Sequence, residues 1–135
     1  ALIIKPSQLE ESAKLGAQFR HCIHEEPEIG ENSGKDRQAL KSFGIKGIST
    51  FVGGANVTGV VAVIEGSRPG KTIGLRADSD ALLGEKTGVQ WCSKVPMTMH
   101  ACGHDGHVGT LLAAVHYINQ HRDFARRLVA IFQRG

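Results

Sequence analysis

Apolar positions recur along the chain with two different periods, and the switches between them divide it into elements. Leu15, Phe19, Cys22 and Ile23 fall at the spacing of one helix face. Ser7 and Glu10 form a capping-box pattern after Pro6, and Pro27 closes the run, so a helix is expected from about residue 8 to His24. A shorter periodic stretch over residues 34–43 carries Ala39, Leu40 and Phe43, with Gly44 suited to its C-terminal cap. From Val57 to Ile64 the pattern becomes an unbroken β-branched and apolar run, as in a strand covered on both faces. The turn Gly66 to Gly70 separates it from a second strand, Lys71 to Ala77. So short a connection cannot make a crossover, and the two strands are expected as antiparallel neighbours. Residues 84–97 read as irregular loop. Helical spacing returns over 106–121 through Val108, Leu111, Leu112, Val115 and Ile118, with Asp105 as candidate N-cap. Residues 127–133 carry a final apolar strand. Helix, helix, strand, strand, helix, strand is the order of an α/β layer structure, a mixed sheet with flanking helices.

Composition narrows the class. At 135 residues the chain reads as a single domain that can bury a core without disulfide staples. A net charge of +3 with scattered Lys and Arg gives no basic stripe, and no nucleic-acid recognition motif occurs. No apolar run is long enough for a membrane span or a signal-peptide core, so no membrane partner is expected and a cytoplasmic location is the default. The three cysteines, at 22, 92 and 102, do not form a disulfide framework; Cys22 reads as a small buried apolar group of the first helix.

Chemistry concentrates in residues 97–107, Met-Thr-Met-His-Ala-Cys-Gly-His-Asp-Gly-His. His100, Cys102, His104, Asp105 and His107 crowd together with two interleaved glycines, which is the composition of a ligand cluster, although such clustering can also be accidental. In an extended segment the side chains of Cys102 and His104 would project to the same side and converge on one ion. One sulfur with nitrogen and oxygen donors suits Zn, Mn, Co or Ni, and the letters do not choose among them. The second strand ends in Arg76-Ala77-Asp78-Ser79-Asp80. Those carboxylates can orient a metal-bound histidine through its other ring nitrogen. Equally, they can belong to a surface turn with an Arg–Asp ion pair. His116 and His121 read as solvated helix residues rather than ligands, and Arg20 to Gly30, from the residues alone, as a solvated helix end and turn.

Four blocks taken in order resemble the amidohydrolase branch of the M20 metallopeptidase family, which includes hippurate hydrolases, N-acyl-amino-acid amidohydrolases and plant indole-acetyl-amino-acid hydrolases. Arg20 to Gly30 is similar to the family's R-x-x-x-H-x-x-P-E-x-G, Gly59 to Ile64 to its G-V-V-A-x-I strand, and Leu75 to Leu82 to its L-R-A-D-x-D-A-L. Met99 to His107 is similar to M-H-A-C-G-H-D-G-H, the most specific of the four.

The resemblance implies the N-terminal part of a dinuclear-metal, aminopeptidase-like catalytic domain. Its substrate would be a small N-acyl amino acid, its cofactor two divalent ions, and its reaction hydrolysis of the amide bond. Cys102 and His104 would be metal ligands and Asp78 an orienting aspartate. His24, Glu28, Arg76, Asp80, His100, Asp105 and His107 would support the site. In the family, the strand matching Leu128 to Gln133 runs into a P-A-E-E-G-like turn that supplies the general base and a further ligand, and the lid domain follows later. Here Arg134-Gly135 stand at that point, so residues 1–135 are expected to form a partial catalytic domain without the lid, inactive alone. An exposed sheet edge is then expected to favour homo-oligomers. The alternative is a short form that no longer catalyses and serves as a binding or assembly module.

Overall fold

The computed structural model describes residues 4–27, 34–52, 58–79, 81–83 and 88–133. A 3-10 turn, Pro6–Leu9, leads into α1, Glu10–Glu25; α2, Gly34–Ser42, precedes the strands β1, Gly47–Val52, β2, Thr58–Glu65, and β3, Thr72–Asp78. A two-residue pair, β4 (Leu82–Leu83) with β5 (Thr98–Met99), bridges to α3, His104–Gln120, and β6, Arg127–Gln133, follows.

Ser7 does not cap the first helix. The side chain of Gln8 accepts the backbone N–H of Lys5 at 2.8 Å instead, and the chain turns once before α1 begins. The second helix ends as expected: Gly44 takes a left-handed φ of 75° and its N–H returns to the Lys41 carbonyl. At the start of α3 the expectation fails. Gly103, with φ 79°, is the N-cap, and Asp105 lies inside the first turn with its side chain buried.

The main sheet runs β1-β2-β6-β3. β2 and β3 point in opposite directions but are not neighbours, because β6 lies between them, antiparallel to β2 and parallel to β3. A short connection fixes direction, not adjacency: six residues span two strand spacings, ~10 Å, with ease. The sequence makes room for the insertion. Gly66 and Gly70 pass so close to the backbone of residues 124–126 that no Cβ would fit, and Gly66 N–H donates to the Arg126 carbonyl at 2.9 Å. β3, α3 and β6 thus form a β-α-β unit with α3 laid across one sheet face.

Val60, Ala62 and Ile64 of β2, Leu128, Ala130 and Phe132 of β6 and Ala77 of β3 meet Val108, Leu111, Leu112 and Val115 of α3 in one core. On the other face Val61, Val63, Val129 and Ile131 are only half-buried. β2 is therefore covered on one face by the described elements, not on both. β1, a Gly-Ile-Ser-Thr-Phe-Val strand without an apolar run or a regular alternation, was not legible in the pattern, nor was the β4–β5 pair that brackets residues 84–97.

α1 packs antiparallel on α3 through small residues. A Cβ on Gly16 would lie 2.5 Å from the Gly109 carbonyl oxygen, and one on Gly109 2.8 Å from that of Gly16. The buried face of α1 is consequently Ser12, Gly16, Ile23 and His24, while Leu15 and Phe19 are half-buried and Cys22 is exposed. His116 is likewise not solvated. It is buried, with Nδ1 2.7 Å from Ser12 Oγ and its ring edge-on to Phe43.

Candidate metal centre

The parallel register sets Asp78 of β3 beside Gln133 of β6 at one end of the sheet. There the Arg76 guanidinium bonds both neighbours, its NH1 group pairing with Asp78 and its Nε donating to Gln133 Oε1 at 3.0 Å. Asp78 Oδ2 also faces His104 Nε2 at 3.7 Å, a charge-pair rather than a hydrogen-bond distance. The two readings of this carboxylate are thus compatible: it has its Arg partner and it fronts the histidine. The Ser79 N–H donates to the Gln133 carbonyl at 3.0 Å, which extends the β3–β6 ladder to the site's edge.

His104 opens α3, and the preceding residues do not run extended. Ala101 N–H folds back to the Met99 carbonyl and Gly103 is left-handed, so the same-side argument for Cys102 and His104 does not apply in that form. Cys102 is exposed on the bend, His104 is half-buried, and His107 is exposed one turn on, its ring centroid 5.7 Å from that of His104. Glu28 and Asp80 lie outside the described residues.

Asp105 is the most buried group of the cluster. Its Oδ2 accepts from His24 Nδ1 at 2.9 Å and from Arg20 Nε at 3.1 Å. Burial pushes its carboxyl up, but the hydrogen bonds from His24 and Arg20, with the charge of Arg20, outweigh this and hold it below the ordinary value of 3.8. An ionised carboxylate only accepts, so His24 carries its proton on Nδ1. The His24 ring stands 6.2 Å from that of buried His100, which brings the first sequence block against the last. Sequence reasoning did not single out Arg20. The signal was its four-residue spacing from His24, which places both on one helix face.

Among the described residues no group of three or more His, Cys, Asp or Glu side chains is arranged to hold a metal ion. The donor types present, a thiol and an imidazole on one loop with a carboxylate opposite, nonetheless fit a divalent transition metal.

Residues 74–135, which hold most of β3, all of α3 and β6 and the stretch from His100 to His107, match the peptidase family M20/M25/M40, and the chain belongs to that family. Among its relatives, a hippurate hydrolase from Campylobacter jejuni is 45% identical over 105 residues, 74% of this chain and 26% of that protein. Thermostable carboxypeptidase 2 of Saccharolobus solfataricus is 41% identical over 108 residues, 78% of this chain and 28% of that protein. In three dimensions, the Bacillus subtilis YXEP protein, described as a dinuclear metal binding peptidase of the M20 family, superposes with a TM-score of 0.80 at 34% identity, over 93% of this chain and 36% of that one. The chain spans a quarter to a third of the length of the curated relatives it matches.

Proposed function

We propose that these residues form part of the catalytic domain of a cytoplasmic, metal-dependent amidohydrolase that cleaves the amide bond of small N-acyl amino acids. Cys102 and His104 act as metal ligands and Asp78 as the group that orients His104. The observation that carries this reading is the approach of Asp78 Oδ2 to His104 Nε2 at the end of β3, beside the loop bearing Cys102. A ligating imidazole takes its metal on one ring nitrogen and gives the other to a carboxylate or carbonyl. With the Nε2 edge turned to Asp78, His104 would hold an ion through its other ring nitrogen. Arg76 holds Asp78 in place by pairing with Oδ1, the carboxylate oxygen other than the one that faces the histidine. Divalent metal at such a site lowers the pKa of a bound water and polarises the substrate carbonyl.

The substrate class rests on relatives that include the hippurate hydrolase and a plant IAA-amino acid hydrolase. Three free cysteines suit a reducing compartment. By the family resemblance the general base and remaining ligands are supplied from outside residues 1–135. The isolated chain is therefore expected to hold at most one ion weakly and to hydrolyse hippurate poorly.

Elemental analysis after equilibration with Mn and with Zn, on wild type, Cys102→Ser and His104→Ala, tests the assignment. Metal uptake that falls in both variants supports it; uptake indifferent to both residues sinks it. Vigorous hippurate hydrolysis by the 135 residues alone would refute the partial-site reading while leaving the family membership intact.

A further inference from the structure

We infer that His24 is a positioning residue for the metal-ligand loop, acting through Asp105; this rests on the reading of Cys102 and His104 as ligands. α1 and α3 meet at three levels. Ser12 bonds His116 at the far end, Gly16 and Gly109 bring the backbones into contact in the middle, and Arg20 and His24 bond Asp105 at the near end. The middle contact fixes the distance between the helices, so the near-end bonds act from a rigid support.

Asp105 directly follows His104, and His100 stands two residues before Cys102. The buried His24 ring bonds the first and packs beside the second, so a single side chain backs the loop on either side of its two ligands. His24 Nε2 is itself buried and has no hydrogen-bond partner among the described residues. Among the described residues the ring is hydrogen-bonded through Nδ1 alone, so the Nδ1–H to Asp105 bond sets where the first turn of α3 begins. Arg20 shares the carboxylate, but its side chain is half exposed and its bond is the weaker constraint.

Isosteric variants separate this role from simple packing. Asn places an amide N–H near the position of Nδ1, and Gln places it near that of Nε2, in side chains of similar polarity. Cadmium serves as the probe, read by the part of its thiolate charge-transfer absorption that Cys102→Ser removes; this excludes contributions from Cys22 and Cys92. His24→Asn is expected to bind cadmium within about threefold of wild type, whereas His24→Gln and His24→Ala weaken it by about 10- to 100-fold, the range for groups that orient metal ligands. If Ala prevents folding, shown by circular dichroism, the Asn and Gln pair carries the test. Equal affinities for Asn and Gln, whether both normal or both weak, overturn the inference. Absence of any Cys102-dependent absorption in wild type overturns the ligand assignment itself, and the inference with it.

Discussion

Asp105 shows what one residue costs and contributes here. A buried carboxylate is expensive unless its lone pairs are taken, and His24 and Arg20 take those of Oδ2. Asp105→Asn keeps the shape and loses the charge, and should destabilise the fold by about 1–3 kcal/mol in urea titrations near neutral pH. The pH dependence has a definite sign. Because the folded pKa lies below 3.8, the ionised form adds stability above that value, and the contribution disappears as pH falls through the folded pKa. The gap between wild type and Asp105→Asn should therefore narrow on acidification from pH 6 towards pH 3. A gap independent of pH would mean that the carboxylate is not ionised in the fold. The letters gave Asp105 as an N-cap because an aspartate before a helical run is usually one. What overruled this was a partner eighty-one residues earlier, and no local pattern carries a contact of that range.

At the scale of elements, periodicity located α2, α3, β2, β3 and β6; α3, β2 and β6 bury a regular stripe or run, whereas β3 buries only Ala77 among the described elements. It located α1 as well but misread its buried face, where Ser12 and Gly16 offer no apolar signal and the contact is backbone on backbone. This leads to a prediction whose sign differs from helix propensity. In an isolated helix Gly→Ala gains ~1 kcal/mol. In this chain Gly16→Ala should instead lose about 1–3 kcal/mol, since the new methyl meets the Gly109 carbonyl and the helices must separate. Thermal or urea unfolding of the single variant decides it. The stretch 97–107 stood out for a different reason: His, Cys and Asp seldom crowd together without a chemical use. Its bent shape was not legible, because Gly103 permits a left-handed turn without announcing one.

For the whole molecule, the layered mixed sheet could be read from element order, but the strand order could not. Adjacency of β2 and β3 was the economical guess from a short turn, and the insertion of β6 depends on ladder bonds formed at long range. β6 is the central support. Phe132, fully buried, should cost about 3–5 kcal/mol as Phe132→Ala, a large share of the stability of an ordinary domain, read as a lowered urea midpoint. β3 is an outer strand of the described sheet, with Ile73 and Leu75 of its helix-facing side 40% and 39% exposed. If copies associate along that strand, Leu75→Lys should shift sedimentation towards the monomer. An unchanged profile would place any contact elsewhere.

The central position of β6 has another consequence. The strand translated last among those described fills a slot whose two walls, β2 and β3, are already present, and the segment from His121 to Arg126 leads into it from the end of α3. Nothing in the slot distinguishes a molecule's own β6 from that of an identical neighbour, since every ladder bond and buried side chain would be reproduced. Exchange of β6 between two copies is thus the low-cost route to a domain-swapped dimer, favoured by concentration and by any change that stiffens residues 121–126 in a straight conformation.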